Sequence, residues 1–229
     1  MKKPLPKPES GRVLTDWVYR SVREAITEGY FEPGEKLDQD LVADELEVSR
    51  TPVREALKAL ESEGFVEIRP HRGVYIPKLS PQDIRFVYEI RILLETDAVR
   101  RAIPRIPDSV LAEMEELLKE TKKQFEAGDR TAILKGDHRF HSTIVDNVEN
   151  DLFREILESL AHRISQVRRV ALVQPGPHLV ESQNEHYDIL RAMRQRDSET
   201  ATEAMQTHLM NSAIRMVDVL DRSSPSNSH

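Results

Sequence analysis

The sequence predicts a mainly α-helical chain in two parts: three helices closed by a β-hairpin, then an antiparallel bundle of six helices. Three observations lead there. Two short alternating runs, Phe65-Val66-Glu67-Ile68 and Val74-Tyr75-Ile76, flank the turn-forming stretch Arg69 to Gly73, which is the pattern of a hairpin. From Ser80 onward apolar residues recur at helical spacing with no strand signal. Between the two textures lies Ile76-Pro-Lys-Leu-Ser-Pro81, a proline-flanked connector that ends elements rather than continuing them.

Ahead of the hairpin, Val13, Val18, Val22 and Ile26 mark the inner stripe of a first helix, which Gly29 and Pro33-Gly34 bring to an end. Asp38 can cap a second, short helix with an apolar face of Leu41, Val42 and Leu46, stopping around Glu47-Val48. Ser49 stands where a third helix needs a cap, and Thr51-Pro52 suits a first turn, where proline loses no hydrogen bond. Val53, Leu57 and Leu60 give that helix its inward stripe and Gly64 terminates it. Three helices followed by a hairpin is the winged helix-turn-helix plan, placed at residues 11–78. Residues 1–10, with three Pro and three Lys, are expected to be a disordered arm. In the second domain, 79–222, helices are expected near 81–103, 108–127, 130–148, 151–173, 178–196 and 198–221. They are divided by Pro104 and Pro107, Gly128-Asp129, Asn147 to Asn150, Pro175-Gly176-Pro177 and Asp197-Ser198. Residues 223–229 are expected to be a disordered tail.

Composition narrows the function. The 229 residues contain no cysteine, which removes disulfide frameworks, thiolate metal sites and thiol nucleophiles together. No apolar run approaches the ~20 residues of a membrane span, and the N-terminus lacks a signal-peptide core, so no membrane partner and a cytoplasmic location are expected. Lys plus Arg number 33 against 40 Asp plus Glu, a formal charge of −7. Taken whole, that opposes a nucleic-acid partner, because phosphate binding is driven by Lys and Arg. The charge is unevenly spread, however. Val48 to Lys58 holds three basic residues to one acidic, and Arg69 to Lys78 holds three to none. On the third helix Arg50, Thr51, Arg54 and Lys58 share the face opposite Val53, Leu57 and Leu60. A solvated charged helix has the same look; a helix that reads DNA needs that face for guanine edges and phosphates.

In the second domain Asp137, His141, His186 and His208 stand out. A lone buried histidine is usually a hydrogen-bonded core residue, but the spacing here groups four residues. Asp137 and His141 are one turn apart on one helix face. His186 lies 11 residues before Asp197 and His208 lies 11 after it, which is equal height in an antiparallel pair, about 16 Å from the turn. Three imidazoles and a carboxylate suit Zn(II), Ni(II), Mn(II) or Fe(II). His138, rotated about 100° from Asp137, is expected at the surface, and His162 and His178 are expected to be structural. Arg91 lies in the inward stripe Ile84, Val87, Tyr88, Arg91, Leu94, Glu95, Ala98. It can pair with Glu95 at the bundle edge or face a pocket and clamp a carboxylate. Asn147 and Asn211 are further polar candidates for the same cavity.

The string VSRTPVREALKALESEGFVEIRPHRGVYI, Val48 to Ile76, resembles the DNA-binding motif of the GntR family of bacterial transcription regulators. The resemblance implies that Arg50 and Arg54 contact DNA, with Ser49, Thr51, Pro52 and the wing residues His71, Arg72 and Gly73 near the backbone or minor groove. Two positions depart from the pattern: Glu47 stands where many relatives have Gly, and Asp40 where some have a DNA-contacting Arg. The order Asp137-x3-His141, Ser182-x3-His186, His208 resembles the FCD effector domain of the FadR-type branch. It implies that those four residues hold a divalent metal, with zinc the first expectation, and that a small carboxylate, hydroxy-acid or sugar-acid effector completes the coordination. The expected function is a metabolite-responsive regulator, a repressor, binding a palindromic operator as a homodimer, since one helix and wing make too few phosphate contacts alone. Rival readings are a metal-dependent hydrolase using a metal-bound water at the Asp/His3 group and a regulator whose metal is purely structural.

Overall fold

The computed structural model describes residues 10–28, 30–173 and 178–223. They fall into two compact units, divided between Lys78 and Leu79. The expected arm and tail lie outside the described residues, except that Ser10 opens the first helix and Ser223 closes the last. Gly29 and the Pro175 to Pro177 breaker also lie outside them, as do the side chains of Val13, His162 and His178.

The first unit is a winged helix-turn-helix built from α1 (Ser10–Glu28), β1 (Lys36–Leu37), α2 (Gln39–Glu45), α3 (Arg50–Ser62), β2 (Glu67–Arg69) and β3 (Gly73–Tyr75). Val18, Val22 and Ile26 of α1 bury against Val53, Leu57 and Leu60 of α3 and against Val74 of the wing; burial of each such side chain contributes roughly 1.5–3 kcal/mol. The sheet has three strands in the order β1-β3-β2, all antiparallel, with both Leu37 and Ile68 opposite Val74. β1 is absent from the sequence reading because two residues cannot show an alternation. Pro33-Gly34 accordingly does not end α1, which stops at Glu28, but turns the chain into β1, with Gly34 at φ 84 and its N–H donating to the Ile76 carbonyl.

The turn between α2 and α3 explains the unusual Glu47. Val48 N–H donates to the Ala43 carbonyl and Glu47 N–H to that of Asp44, the paired bonds of a Schellman helix end. That motif requires a left-handed residue at Glu47, which has φ 53, a conformation costing a non-glycine residue about 1–2 kcal/mol. Two expectations for this region are corrected. Leu41 is 54% exposed, because the inner face of so short a helix is set by Val42, Ala43 and Leu46. Ser49 occupies the N-cap position in an extended conformation, but its side chain makes no capping bond.

The second unit is all-helical: α4 (Pro81–Ala102), α5 (Asp108–Glu126), α6 (Thr131–Asp146), α7 (Asp151–Val173), α8 (His178–Arg194) and α9 (Ser198–Ser223). A reciprocal capping box between Ser80 and Asp83 starts α4. α4 packs on α9, and α9 returns against α8; the turn between them places Arg196 at φ 57 and lets its guanidinium donate to the Ile103 and Ile106 carbonyls. Ile84, Val99, Leu118, Phe140, Ile189, Met193, Met205 and Leu209 fill the core. Among the described residues no helix is long and apolar enough to cross a membrane.

One glycine bears on the site. A Cβ at Gly136 of α6 would lie 2.4 Å from Oγ1 and 2.6 Å from Cγ2 of the buried Thr121 of α5, so glycine lets α6 approach α5 closely just ahead of Asp137. In an open helix Gly→Ala gains up to about 1 kcal/mol. Here Thr121 is short, β-branched and enclosed, and overpacking of that kind typically costs about 1–3 kcal/mol. The Gly136→Ala variant is therefore expected to lower unfolding stability by about 1 kcal/mol in a urea titration; a stabilised variant would show that α5 and α6 yield easily.

Candidate metal centre and nucleic-acid interface

Four side chains from three helices of the second unit converge. Asp137 and His141 come from α6, His186 from α8 and His208 from α9, and one ligand atom from each lies within 4.8 Å of all the others. The three Nε2 atoms form a triangle with every side 3.2 Å. Asp137 Oδ1 stands 3.5 Å from His141 Nε2 and 3.4 Å from His186 Nε2. All three imidazoles are buried, while Asp137 is partly exposed. Phe140, next to His141, stacks on the His186 ring at 4.4 Å between centroids and helps fix its plane.

The outer ring nitrogens decide what this triangle can do. His141 Nδ1 lies 2.5 Å from Glu95 Oε2, and His208 Nδ1 lies 2.8 Å from Glu185 Oε2. At His208 the carboxylate accepts, so Nδ1 carries the proton and the neutral ring turns a bare Nε2 lone pair inward; the Glu95–His141 contact is an ion pair outside hydrogen-bond geometry that favours positive charge on the ring. Lone pairs at 3.2 Å repel unless positive charge sits among them. Burial first, then the neighbouring His186, push His208 down to about 3, keeping it neutral near pH 7. Burial also pulls His141 down, but the Glu95 and Asp137 carboxylates outweigh it and raise the ring above its ordinary value. The group thus attracts one positive charge, and its donor set fits a divalent cation of the zinc, nickel, manganese or iron type.

Both supporting carboxylates are themselves held. Arg91 Nε donates to Glu95 Oε1 at 2.6 Å, and the two side chains are about as buried as the core. Burial opposes both charges, but their mutual attraction raises Arg91 and lowers Glu95. This pair therefore lies inside the bundle and not at its edge, and Arg91 Nη2 makes no hydrogen bond. Glu185 accepts from Arg215 at 2.6 and 2.8 Å and from Asn211 at 2.9 Å. Burial raises this carboxyl, but the bonds from Arg215, His208 and Asn211 prevail and bring it to about 2. Asn211 thus serves Glu185, while Asn147, the C-cap of α6, donates to the Thr143 carbonyl at 2.8 Å. The amide N–H groups of both are committed within the protein. His138 is exposed.

Glu95 and Glu185 are the functional residues that sequence reasoning missed in this role. Glu95 was in view only as a partner for Arg91. Glu185 precedes a ligand histidine and points elsewhere on α8; its available signal is the spacing His208, Asn211, Arg215, three polar residues on one face of α9.

In the first unit Arg50, Thr51, Arg54 and Lys58 of α3 are exposed together, as are His71 and Arg72 at the wing tip. His71 has φ 61 and Gly73 φ 109, and Arg72 N–H closes the turn onto the Arg69 carbonyl. A cleft of about 410 Å³ runs between the start of α2, the start of α3 and β3, lined by Asp38, Asp40, Arg50, Thr51, Arg54 and Gly73 among others. Pro52 departs from its expected place near DNA: it is buried, because it falls on the inner side of α3 beside Val53. The acids of α3 and its C-cap have partners elsewhere in the unit, Glu55 accepting from Thr15, Glu61 from the Ile68 N–H and Glu63 from Tyr19, while Arg50, Arg54 and Lys58 stay exposed.

Comparison with known proteins assigns both units. Residues 14–76 match the model of the bacterial regulatory proteins of the gntR family, and residues 86–211 match the FCD domain. The chain is 30% identical over 194 residues to the HTH-type transcriptional repressor RspR of Escherichia coli K12, covering 84% of each. A GntR-type regulator from Rhodococcus sp. RHA1 superposes with a TM-score of 0.77 at 26% identity, over 90% of this chain and 98% of that one. The Zn2+-bound FCD domain of TM0439 shares the bundle fold with a TM-score of 0.52 at 23% identity, over 62% of this chain and 97% of that one. The chain belongs to the GntR family of bacterial regulatory proteins, as a DNA-binding transcription regulator with an FCD domain and not an enzyme.

Proposed function

We propose that the protein is a metabolite-responsive repressor, acting in the cytoplasm as a homodimer on a palindromic operator. In this reading Asp137, His141, His186 and His208 hold a divalent metal, zinc by preference, and a small carboxylate or sugar-acid effector joins it. The observation that carries the reading is the buried triangle of Nε2 atoms with Asp137 beside it and Arg91 close by in the same core. When bound, the ion supplies a positive centre with positions left for an oxygen ligand. The protein's own residues do the rest. Glu185 holds the His208 ring in the inward-facing tautomer, Glu95 lies against the His141 ring, and Arg91, with Nη2 unused, offers a second point of attachment for a carboxylate. Zinc is supported by the Zn2+-bound FCD domain of TM0439, and repression by the repressor RspR.

The switch must be a population shift. An effector that bound equally well to the DNA-competent and incompetent states would change nothing. Arg91 and Glu95 lie on α4, the helix that directly follows the connector from the DNA-binding unit in sequence, so effector contacts there act on the first element of the bundle. On the first unit Arg54 and Arg50 are proposed to read bases, Ser49, Thr51 and Lys58 to meet phosphates, and His71, Arg72 and Gly73 to follow the adjacent groove. Dimerisation is supported by α4, where Phe86, Ile90 and Leu93 stand exposed at helical spacing as one apolar stripe.

Removing metal with a chelator is expected to lower the melting temperature, and zinc to restore it. A site filled at 100 times its dissociation constant adds about 2.7 kcal/mol. Candidate carboxylates should stabilise only the zinc-loaded protein and should fail with Arg91→Ala; stabilisation by zinc with no response to any acid, in melting or in DNA affinity, would leave the metal a structural role. The Arg54→Ala variant should weaken operator binding at least about tenfold with metal content unchanged. If His208→Ala, with its fold intact by circular dichroism, lost operator binding equally in the absence of metal and effector, the division of labour between the units would be wrong. Introducing charge with Leu93→Glu should give a monomer by sedimentation and lower operator affinity; an unaltered dimer would move the interface elsewhere.

A further inference from the structure

Asp40 is out of place on a surface meant for phosphates. It sits in the first turn of α2, where Asp38 caps the helix by accepting from the Asp40 N–H at 2.9 Å. Its Oδ1 lies 2.7 Å from Nε of Arg50, at the start of α3, and both side chains are largely exposed, at 54% and 77%. An ion pair that exposed adds little to folding stability, so its reason must be sought in the cleft that both residues line. A carboxylate there repels the DNA backbone and cancels the charge that Arg50 would bring to it.

The geometry points to a positioning role, and the inference rests on the reading of α3 as the helix that enters the major groove. We propose that Asp40 sets the readout by Arg50: it occupies the Nε edge of the guanidinium and leaves the two terminal Nη groups as an outward fork for guanine O6 and N7. The fork is planar, so fixing one edge fixes the direction of the other. A free Arg50 would sample phosphate oxygens as readily as base edges. Held by Asp40, it is nearly neutral toward the backbone yet still donates in the plane that a guanine requires. Asp40 thereby trades non-specific affinity for discrimination at one base pair of each half-site.

The test uses the full-length protein, with sites selected from a randomised duplex library and affinities measured by fluorescence anisotropy on the selected and a scrambled duplex. Wild type, Asp40→Ala, Asp40→Asn, Arg50→Ala, Arg54→Ala and the Asp40→Ala/Arg50→Ala double variant are compared. Expected is a base position that becomes degenerate in Arg50→Ala and equally so in Asp40→Ala. The ratio of selected to scrambled affinity should fall on the order of tenfold in Asp40→Ala, while scrambled DNA binds more tightly because a negative charge is gone. Asp40→Asn should move the same way, and the double variant should discriminate no worse than Arg50→Ala. Simple damage to the fold would weaken both duplexes and cannot mimic this opposite movement. Unchanged base preference in both Asp40 variants, weakening on both duplexes, or additive losses in the double variant would overturn the role of Asp40. If neither Arg50→Ala nor Arg54→Ala altered binding to the selected site, the reading of α3 itself would fail, and the role of Asp40 with it.

Discussion

Three imidazole nitrogens 3.2 Å apart in a buried space need a proton or a cation among them, and much of the second unit is arranged around that constraint. The Nε2 atoms of His141, His186 and His208 are 3.2 Å apart. Glu185 on α8 holds the His208 ring from outside through a hydrogen bond, and Glu95 on α4 lies against the His141 ring as an ion-pair partner. Each carboxylate in turn needs its own partner, supplied by Arg91 on α4 and by Arg215 and Asn211 on α9. A buried charge is costly unless paired and hydrogen-bonded, so α4, α6, α8 and α9 are joined by one chain of compensation.

The same sorting of charge operates on the first unit with the opposite purpose. There Glu55, Glu61 and the C-cap Glu63 accept from Thr15, the Ile68 N–H and Tyr19, and Arg50, Arg54 and Lys58 remain outward. The net charge of −7 is thus a poor guide to partners, because it averages over a basic face a few residues wide. Of the two acids that line the cleft beside that face, Asp38 caps α2 and Asp40 is paired with Arg50.

Much of this was legible in the sequence, and the failures have physical reasons. Helix limits in the bundle were visible where proline and glycine punctuate it; α4 and α5, followed by Pro104 and Gly128, end within two residues of the expected positions. Asp137, His141, His186 and His208 could be grouped because a helical turn and equal distance from a tight turn are rules of geometry, independent of packing detail. β1 was invisible because its two residues are a strand only by pairing with β3. Pro52 and Leu41 were misplaced because a 100° rotation on a short helix separates core from surface. Glu95 and Glu185 were missed as ring-orienting groups because their partners lie on other helices, where no local periodicity reports them. Glu47 was visible as a departure, and the structure shows its consequence in a left-handed Schellman turn.

Glu185 sets the tautomer of His208 and the Glu95 carboxylate lies against His141, so the Nδ1 atoms of both rings face carboxylates and their Nε2 atoms meet that of His186. Long-range 15N–1H correlation of the histidine rings, followed while zinc is titrated into the metal-free protein, tests it most directly. His141 and His208 of the zinc-loaded protein are expected to carry protons on Nδ1, with their Nε2 signals moving into the metal-bound range together with that of His186. Protons on Nε2, or ligation through Nδ1, would contradict it.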